Sequence, residues 1–231
     1  MKRLQLASII LAPALAASLL GMAGRPNASR VDVVASHLNA PRVDVVPPAV
    51  TIAEGLAEDI QADLETRNWT MAQTRVAELQ KNRLRLRVLL PAPKIAGYEV
   101  AFDSLTAQLG RHDRLAALKS ANQMSRDIVT IMGNYDLTVP IQVSYLDVAG
   151  RDAIYAAEGG RWQDASAAVT ELRANYAIVQ ARVAGKDSTL DQHVRQQLNG
   201  LEVAVTAKSV TQARAIATAL LENVDLIERV F

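Results

Sequence analysis

The sequence predicts an all-α fold of duplicated antiparallel helical hairpins, about eight helices in all, arranged as tandem four-helix bundles or a short α-solenoid. Three observations carry that expectation. The chain of 231 residues is 50% hydrophobic yet only 4% aromatic, with two Phe, two Trp and 11 Gly, whereas sandwiches and barrels lean on aromatic, β-branched and turn residues. The second half of the chain repeats the first. Within each copy, small and apolar residues recur at spacings of three and four, the period of helix seams packed knobs-into-holes.

Met1-Lys2-Arg3 is a short positive n-region, and no charged residue follows from Leu4 to Gly24. That is the shape of a secretory signal peptide over residues 1–23, with Ala14-Leu15-Ala16 or Gly21-Met22-Ala23 as small-residue cleavage sites. The run is also long enough to act as an uncleaved N-terminal anchor, although Pro13 and its small neighbours weaken a stable span. Both readings place the remainder in the periplasm or outside the cell. Residues 24–45 read as a spacer. They carry Pro26, Pro41 and the segment RVDVV twice, at 30–34 and 42–46, and two isolated five-residue strands are marginal alone.

An offset of 93 aligns Val46-Pro47 with Val139-Pro140, Asp59 with Asp152, Trp69 with Trp162 and Glu78-Leu79 with Glu171-Leu172. After a three-residue insertion an offset of 96 aligns Leu105 with Leu201, Ala117 with Ala213, Ala121 with Ala217 and Ile131 with Ile227. Two copies, 46–135 and 139–231, follow. Counting from Ala72, Ala117, Ala165 and Ala213, the +4 positions hold Val76, Ala121, Val169 and Ala217. The +7 positions hold Leu79, Met124, Leu172 and Leu220, and the +14 positions Leu86, Ile131, Val179 and Ile227. Each unit is thus the second arm of a hairpin, its small Ala positions letting helix axes approach closely. First arms are predicted at about 49–66, 96–109, 143–158 and 188–206. Gly110, Gly159-Gly160 and Gly185-Lys186-Asp187 break between arms, and Pro91 and Pro93 end the second helix. Asp113 and Ser209 are expected N-caps.

Residues 153–172 resemble a tetratricopeptide hairpin, with Gly160 before Trp162, then Ala165, Val169 and Leu172; the hairpin spacing of 45–48 is longer than that family's period, and its terminal proline is missing. That resemblance implies helix–turn–helix packing. The chain is also similar to an uncharacterised family of exported bacterial helical-repeat proteins. The residues that carry this likeness are Tyr145-Leu146-Asp147, Gly150-Arg151-Asp152, Trp162 and the ending Glu222-Asn223-Val224-Asp225-Leu226-Ile227-Glu228-Arg229-Val230-Phe231. It covers the second copy well and the first in degraded form, and it implies export and a helical fold while naming no reaction.

Twenty-five basic against 24 acidic side chains give no nucleic-acid footprint. The absence of Cys removes disulfides, thiolate metal sites and thiol nucleophiles. No Gly-x-Ser-x-Gly elbow, P-loop or GxGxxG occurs, and His37, His112 and His193 share no ligand spacing. No catalytic residue, cofactor or metal site is therefore expected. The recurring carboxylates Asp59/Asp152 and Glu78/Glu171 read as solvated flanks; Met71, Met124 and Met132 suggest soft Cu(I) coordination, but Met124 occupies the seam position held by Leu220 in the other copy and reads as core filler. Trp69 and Trp162, each three residues before a seam Ala, read as core anchors, with an exposed stacking platform as the other reading.

The sharpest asymmetry is Lys81-Asn82-Arg83-Leu84-Arg85-Leu86-Arg87, whose basic positions match Ala174, Tyr176, Ile178 and Gln180 in the second copy. The shared fold does not demand this charge. Arg83 and Arg87 lie one turn apart, suited to a phosphate, carboxylate or anionic headgroup; the competing reading is a solvated face paired with local acids. Lys81, Arg83, Arg85, Arg87, Trp69 and Trp162 are accordingly the ligand-binding candidates. The expected function is a non-enzymatic binding or scaffolding module of the bacterial cell envelope. It would use this basic face or a groove between the copies toward an envelope protein or an anionic small ligand, and would touch membrane only through its N-terminal segment. The alternative is a periplasmic metal or small-ligand carrier with ligands drawn from several helices.

Overall fold

Helix-forming stretches separated by caps account for almost all of residues 45–231, the part of the chain that this computed structural model describes; the expected signal peptide, nearly all of the expected spacer and His37 lie outside the described residues. The helices are α1 (Pro48–Glu65), α2 (Trp69–Leu89), α3 (Ala92–Gly110), α4 (Arg114–Met132), α5 (Ile141–Glu158), α6 (Trp162–Lys186), α7 (Ser188–Thr206) and α8 (Val210–Glu228). The all-α prediction holds, and the four first arms begin and end within a few residues of their expected bounds.

The seams explain why the helices pair as they do. All sixteen seam positions, from Ala72, Val76, Leu79 and Leu86 to Ala213, Ala217, Leu220 and Ile227, are buried. A 3-4 spacing keeps them on one side of each helix, where they meet the preceding arm. α1 packs on α2 and α4, and α3 on α4; in the second copy α5 packs on α6 and α8, and α7 on both α6 and α8. α4 lies against α5 and joins the copies.

The four hairpin turns share one design. Arg67, His112, Gly160 and Lys208 each take φ between 53° and 67°. One residue further on, the N–H of Asn68, Asp113, Arg161 and Ser209 reaches back to the carbonyl of Asp63, Gln108, Ala156 and Ala204 at 2.7–3.1 Å. This is the Schellman closure of a helix end. Only the third turn uses glycine at its left-handed position, so the other three carry a Cβ in a region where it is crowded. Lys208→Gly should therefore raise stability by about 0.5 kcal/mol, the relief of that crowding less the extra freedom of the unfolded chain. Urea denaturation checks this, and a lower midpoint would reject it.

Asp113 caps α4 through the N–H of Ala116 at 3.1 Å, as expected. Ser209 occupies the cap position of α8, but its side chain makes no cap bond. Pro91 terminates α2 by holding Leu90 extended, with φ −121° and ψ 139°. Pro93 does not help end α2: it lies in the first turn of α3, where a missing N–H costs nothing.

Candidate functional site

The central polar cluster forms where α1, α4 and α5 meet. Gln61 of α1 is fully buried and donates from Nε2 to Ser125 Oγ of α4 at 3.1 Å, while its Oε1 accepts from Tyr155 of α5 at 3.3 Å. The Tyr155 hydroxyl also reaches Glu65 at 3.1 Å. Burial, and then the charge of Glu65, push that phenol up from its ordinary value. Beside it Arg151 is held by Asp147, Nε to Oδ2 at 2.9 Å. Burial works against the cation, but the neighbouring Asp147 carboxylate more than restores it.

Above this floor opens a cavity of about 190 Å³ lined by α1, α4, α5 and α8. Its charged lining is Glu54 and Glu58 from α1, Asp147 and Arg151 from α5, and Asp225 and Glu228 from α8; α4 contributes only Ser125 and Val129. Glu58, Asp225 and Glu228 form an exposed rim, Glu54, Asp147 and Arg151 are half-buried, and Val148 and Val224 are buried below. Five carboxylates thus face one arginine that Asp147 already occupies. Burial, then the charges of Asp147 and Glu54, raise Glu58 to about 7. Glu54 rises by burial and by Glu228, and Glu228 by burial and by Asp225.

The neighbouring α4·α5 interface is closed by polar contacts. Arg126 of α4 binds Asp152 at 2.6 Å and Glu171 at 2.5 Å. Asn122 donates to the Val148 carbonyl at 2.9 Å and to Asp152 at 2.7 Å. Although burial opposes the charge, the hydrogen bonds that Arg126 donates to Glu171 and Asp152 hold its guanidinium above its usual value. The same offsets match Asp152 and Glu171 to Asp59 and Glu78, and match Arg126 to Glu222. Glu222 thus stands at the position of Arg126 in the repeat, but it lies outside the cleft, beside Arg114, Glu158 and Arg214. Among the described residues no hydrogen bond or ion pair joins α1 to α8, and the acidic cleft lies between them.

The ligand-binding candidates lie elsewhere and apart. Arg83 is only 7% exposed; it pairs with Glu99 and, at 2.9 Å, Asp103 of α3, and its guanidinium lies 4.5 Å from the Phe102 ring centre. Arg87 binds the same Glu99 at 2.6 Å. Glu99 is held at about 2 by its bond to Arg87, against burial and with help from Arg83. Arg83 is thus neutralised and enclosed within the fold, while Arg87 shares Glu99 with it and keeps an exposed side chain. The overlooked signal was position: Arg83 stands at +11 on its seam, where Ile128, Tyr176 and Val224 are also buried. Tyr176 makes the equivalent cross-helix bond, to Asp191 at 2.9 Å.

Lys81 and Arg85 are exposed and enter no ion pair among the described residues. Trp69 and Trp162 are half-buried against the core. Trp69 also stacks on His112, ring centres 4.8 Å apart, which ties the first two hairpin turns together. The carboxylates read as solvated flanks differ between copies: Asp152 and Glu171 converge on Arg126, while Asp59 pairs with Arg75 at 2.6 Å on an exposed face. Among the described residues no three His, Asp or Glu side chains are placed to hold one metal ion. Met124 is fully buried in its seam, as expected of core filler.

No protein-family model, curated protein or solved structure matches this chain.

Proposed function

We propose that this protein is a non-enzymatic binding module of the bacterial cell envelope, and that the cleft between its two copies receives a basic group from a partner. The observation that carries the reading is the contrast in charge balance between the two places where the copies face each other. Where α4 meets α5, the Arg126 guanidinium lies between Asp152 and Glu171; in the cleft between α1 and α8, five carboxylates face the single guanidinium of Arg151, which Asp147 already holds. A cation supplied from outside would relieve the same repulsion that Arg126 relieves internally. The size agrees with a side-chain head group, since about 190 Å³ falls below the roughly 300–1,000 Å³ of ordinary small-molecule pockets. The uncharged leader behind Met1-Lys2-Arg3 supports the envelope location. A metal carrier has less behind it, because its ligands would have to converge more tightly than the cleft carboxylates do.

Agmatine, a guanidinium on a short aliphatic stem, is the test probe. Calorimetric titration at low ionic strength should show saturable binding to the wild-type chain, and binding should fall at least tenfold in Glu54→Gln with Glu58→Gln, the loss of two opposing charges in a half-buried site. Unchanged binding in the double variant, or a preference for succinate over agmatine, would reject the reading.

A further inference from the structure

The second half of α2 carries a surface that neither the core nor the cleft uses. Lys81, Leu84, Arg85 and Val88 follow the i, i+3, i+4, i+7 pattern of one helix face, and all four are exposed, Leu84 by 56% and Val88 by 87%. Leu89, 53% exposed, extends the face to the end of the helix, and the exposed Lys94 follows in the first turn of α3. The fold does not demand any of it. The second copy has Ala174, Ala177, Ile178 and Ala181 at the matching positions, with none of the charge. Arg83 and Arg87, on the other side of α2, are occupied by Glu99 and Asp103. Lys81, Arg85 and Lys94 make no ion pair among the described residues, and the nearest acid along the face is Glu78, a turn further from the tip.

The surface also has a definite place in the molecule. The Ala49 carbonyl at the start of α1 accepts from Asn82 Nδ2 of α2 at 2.6 Å, so the N-terminal part of the chain joins the first bundle at this same end. That part contains the uncharged run from Leu4 to Gly24. Unpaired cations interleaved with exposed aliphatic side chains are the composition that adsorbs to an anionic bilayer: the charges are drawn to the headgroups and the apolar groups enter the acyl boundary.

We infer that the Lys81–Leu89 face of α2, with Lys94, docks the folded part of the protein on an anionic lipid surface. The absence of Cys gives a direct test in the full-length chain. An environment-sensitive fluorophore is attached at Val88→Cys, and as control at Ile178→Cys, which is 63% exposed on the second copy. Vesicles rich in phosphatidylglycerol should blue-shift the emission at 88 and leave 178 unchanged, while phosphatidylcholine vesicles should shift neither. Lys81→Gln with Arg85→Gln should weaken the partitioning seen at 88 by roughly 30-fold, two charges near an anionic surface. Three results would overturn the inference: an equal shift at both positions, a shift at 88 that ignores lipid charge, or a concentration-dependent shift at 88 without vesicles, which would mean that a second copy covers the face. Because the N-terminal run is present in every sample and joins the fold at this same end, the Lys81→Gln with Arg85→Gln variant separates the two: a shift at 88 that the double variant leaves unchanged would assign the response to the N-terminal run and would also overturn the inference.

Discussion

Replacing Arg126 with methionine should lower stability by about 2–3 kcal/mol. Methionine keeps most of the aliphatic stem, so the change isolates the charge. Removing one partner of a buried ion pair costs about 3–5 kcal/mol because the other charge is left uncompensated, whereas an exposed pair is worth about 0–1. The Arg126 side chain is 23% exposed, with Asp152 and Glu171 at 36% and 34%, so the expected cost falls between those limits. Asp152 keeps its bond from Asn122; Glu171 loses its only cationic partner. In urea the midpoint should fall with an unchanged slope, since the folded core stays intact. Adding Asp152→Asn and Glu171→Gln should recover most of the loss, because the uncompensated carboxylates go with the arginine. A loss below about 0.5 kcal/mol would mean that solvent already screens the triad and that apolar packing alone closes the α4·α5 seam.

Arg126 also shows where the sequence is legible and where it is not. The seams could be read because burial on a helix follows a period: Ala72, Val76 and Leu79 are apolar at the spacing a packed face requires, and all are buried. Asp113 could be read because a cap is local chemistry. Arg83 escaped because a charged residue at a seam position looks like surface until Glu99, Asp103 and the Phe102 ring are known to surround it. The left-handed turns at Arg67, His112 and Lys208 escaped because no glycine marks them. The cleft was the hardest to foresee. Glu54 and Glu58 lie about 170 residues from Asp225 and Glu228, and nothing local relates them. A trace was present in the duplication, which matches Glu54 to Asp147. Its meaning depends on α4 packing against α5 while α8 stands off from α1, which is a fact of tertiary structure.

The cleft should also make the protein less stable as pH rises through neutrality. Glu58 has a folded value of about 7 against 4.5 for a free side chain. Below 4.5 both states hold the proton and the contribution is fully present. From 4.5 upward the unfolded chain releases the proton while the folded chain keeps it, so stability falls until the pH has passed about 7 and then levels. A shift of that size corresponds to at most about 3 kcal/mol, and the exposed edge of Glu58 reduces it by solvent screening to about 1–2. Glu54 and Glu228 are raised for the same reasons and steepen the same limb. Among the described residues the charged groups that share the cleft with Glu58 are Glu54 beside it on α1, Asp147 and the opposing Arg151 on α5, and Asp225 and Glu228 on α8. Glu99, held at about 2, has the opposite sign, and its contribution is lost only as pH falls from 4.5 through about 2. The two windows do not overlap, so stability should peak near pH 4.5–5. Urea unfolding of the wild type at pH 5 and pH 7.5 should reveal the fall, and Glu58→Gln should remove most of it by eliminating the titration while keeping the side chain's volume. An equal fall in that variant would move the effect to another buried carboxylate, of which Asp127, raised by burial, is the first to test. A flat profile in both would mean that the rim is solvated as freely as an open surface, and that the excess of carboxylates over Arg151 costs the fold nothing.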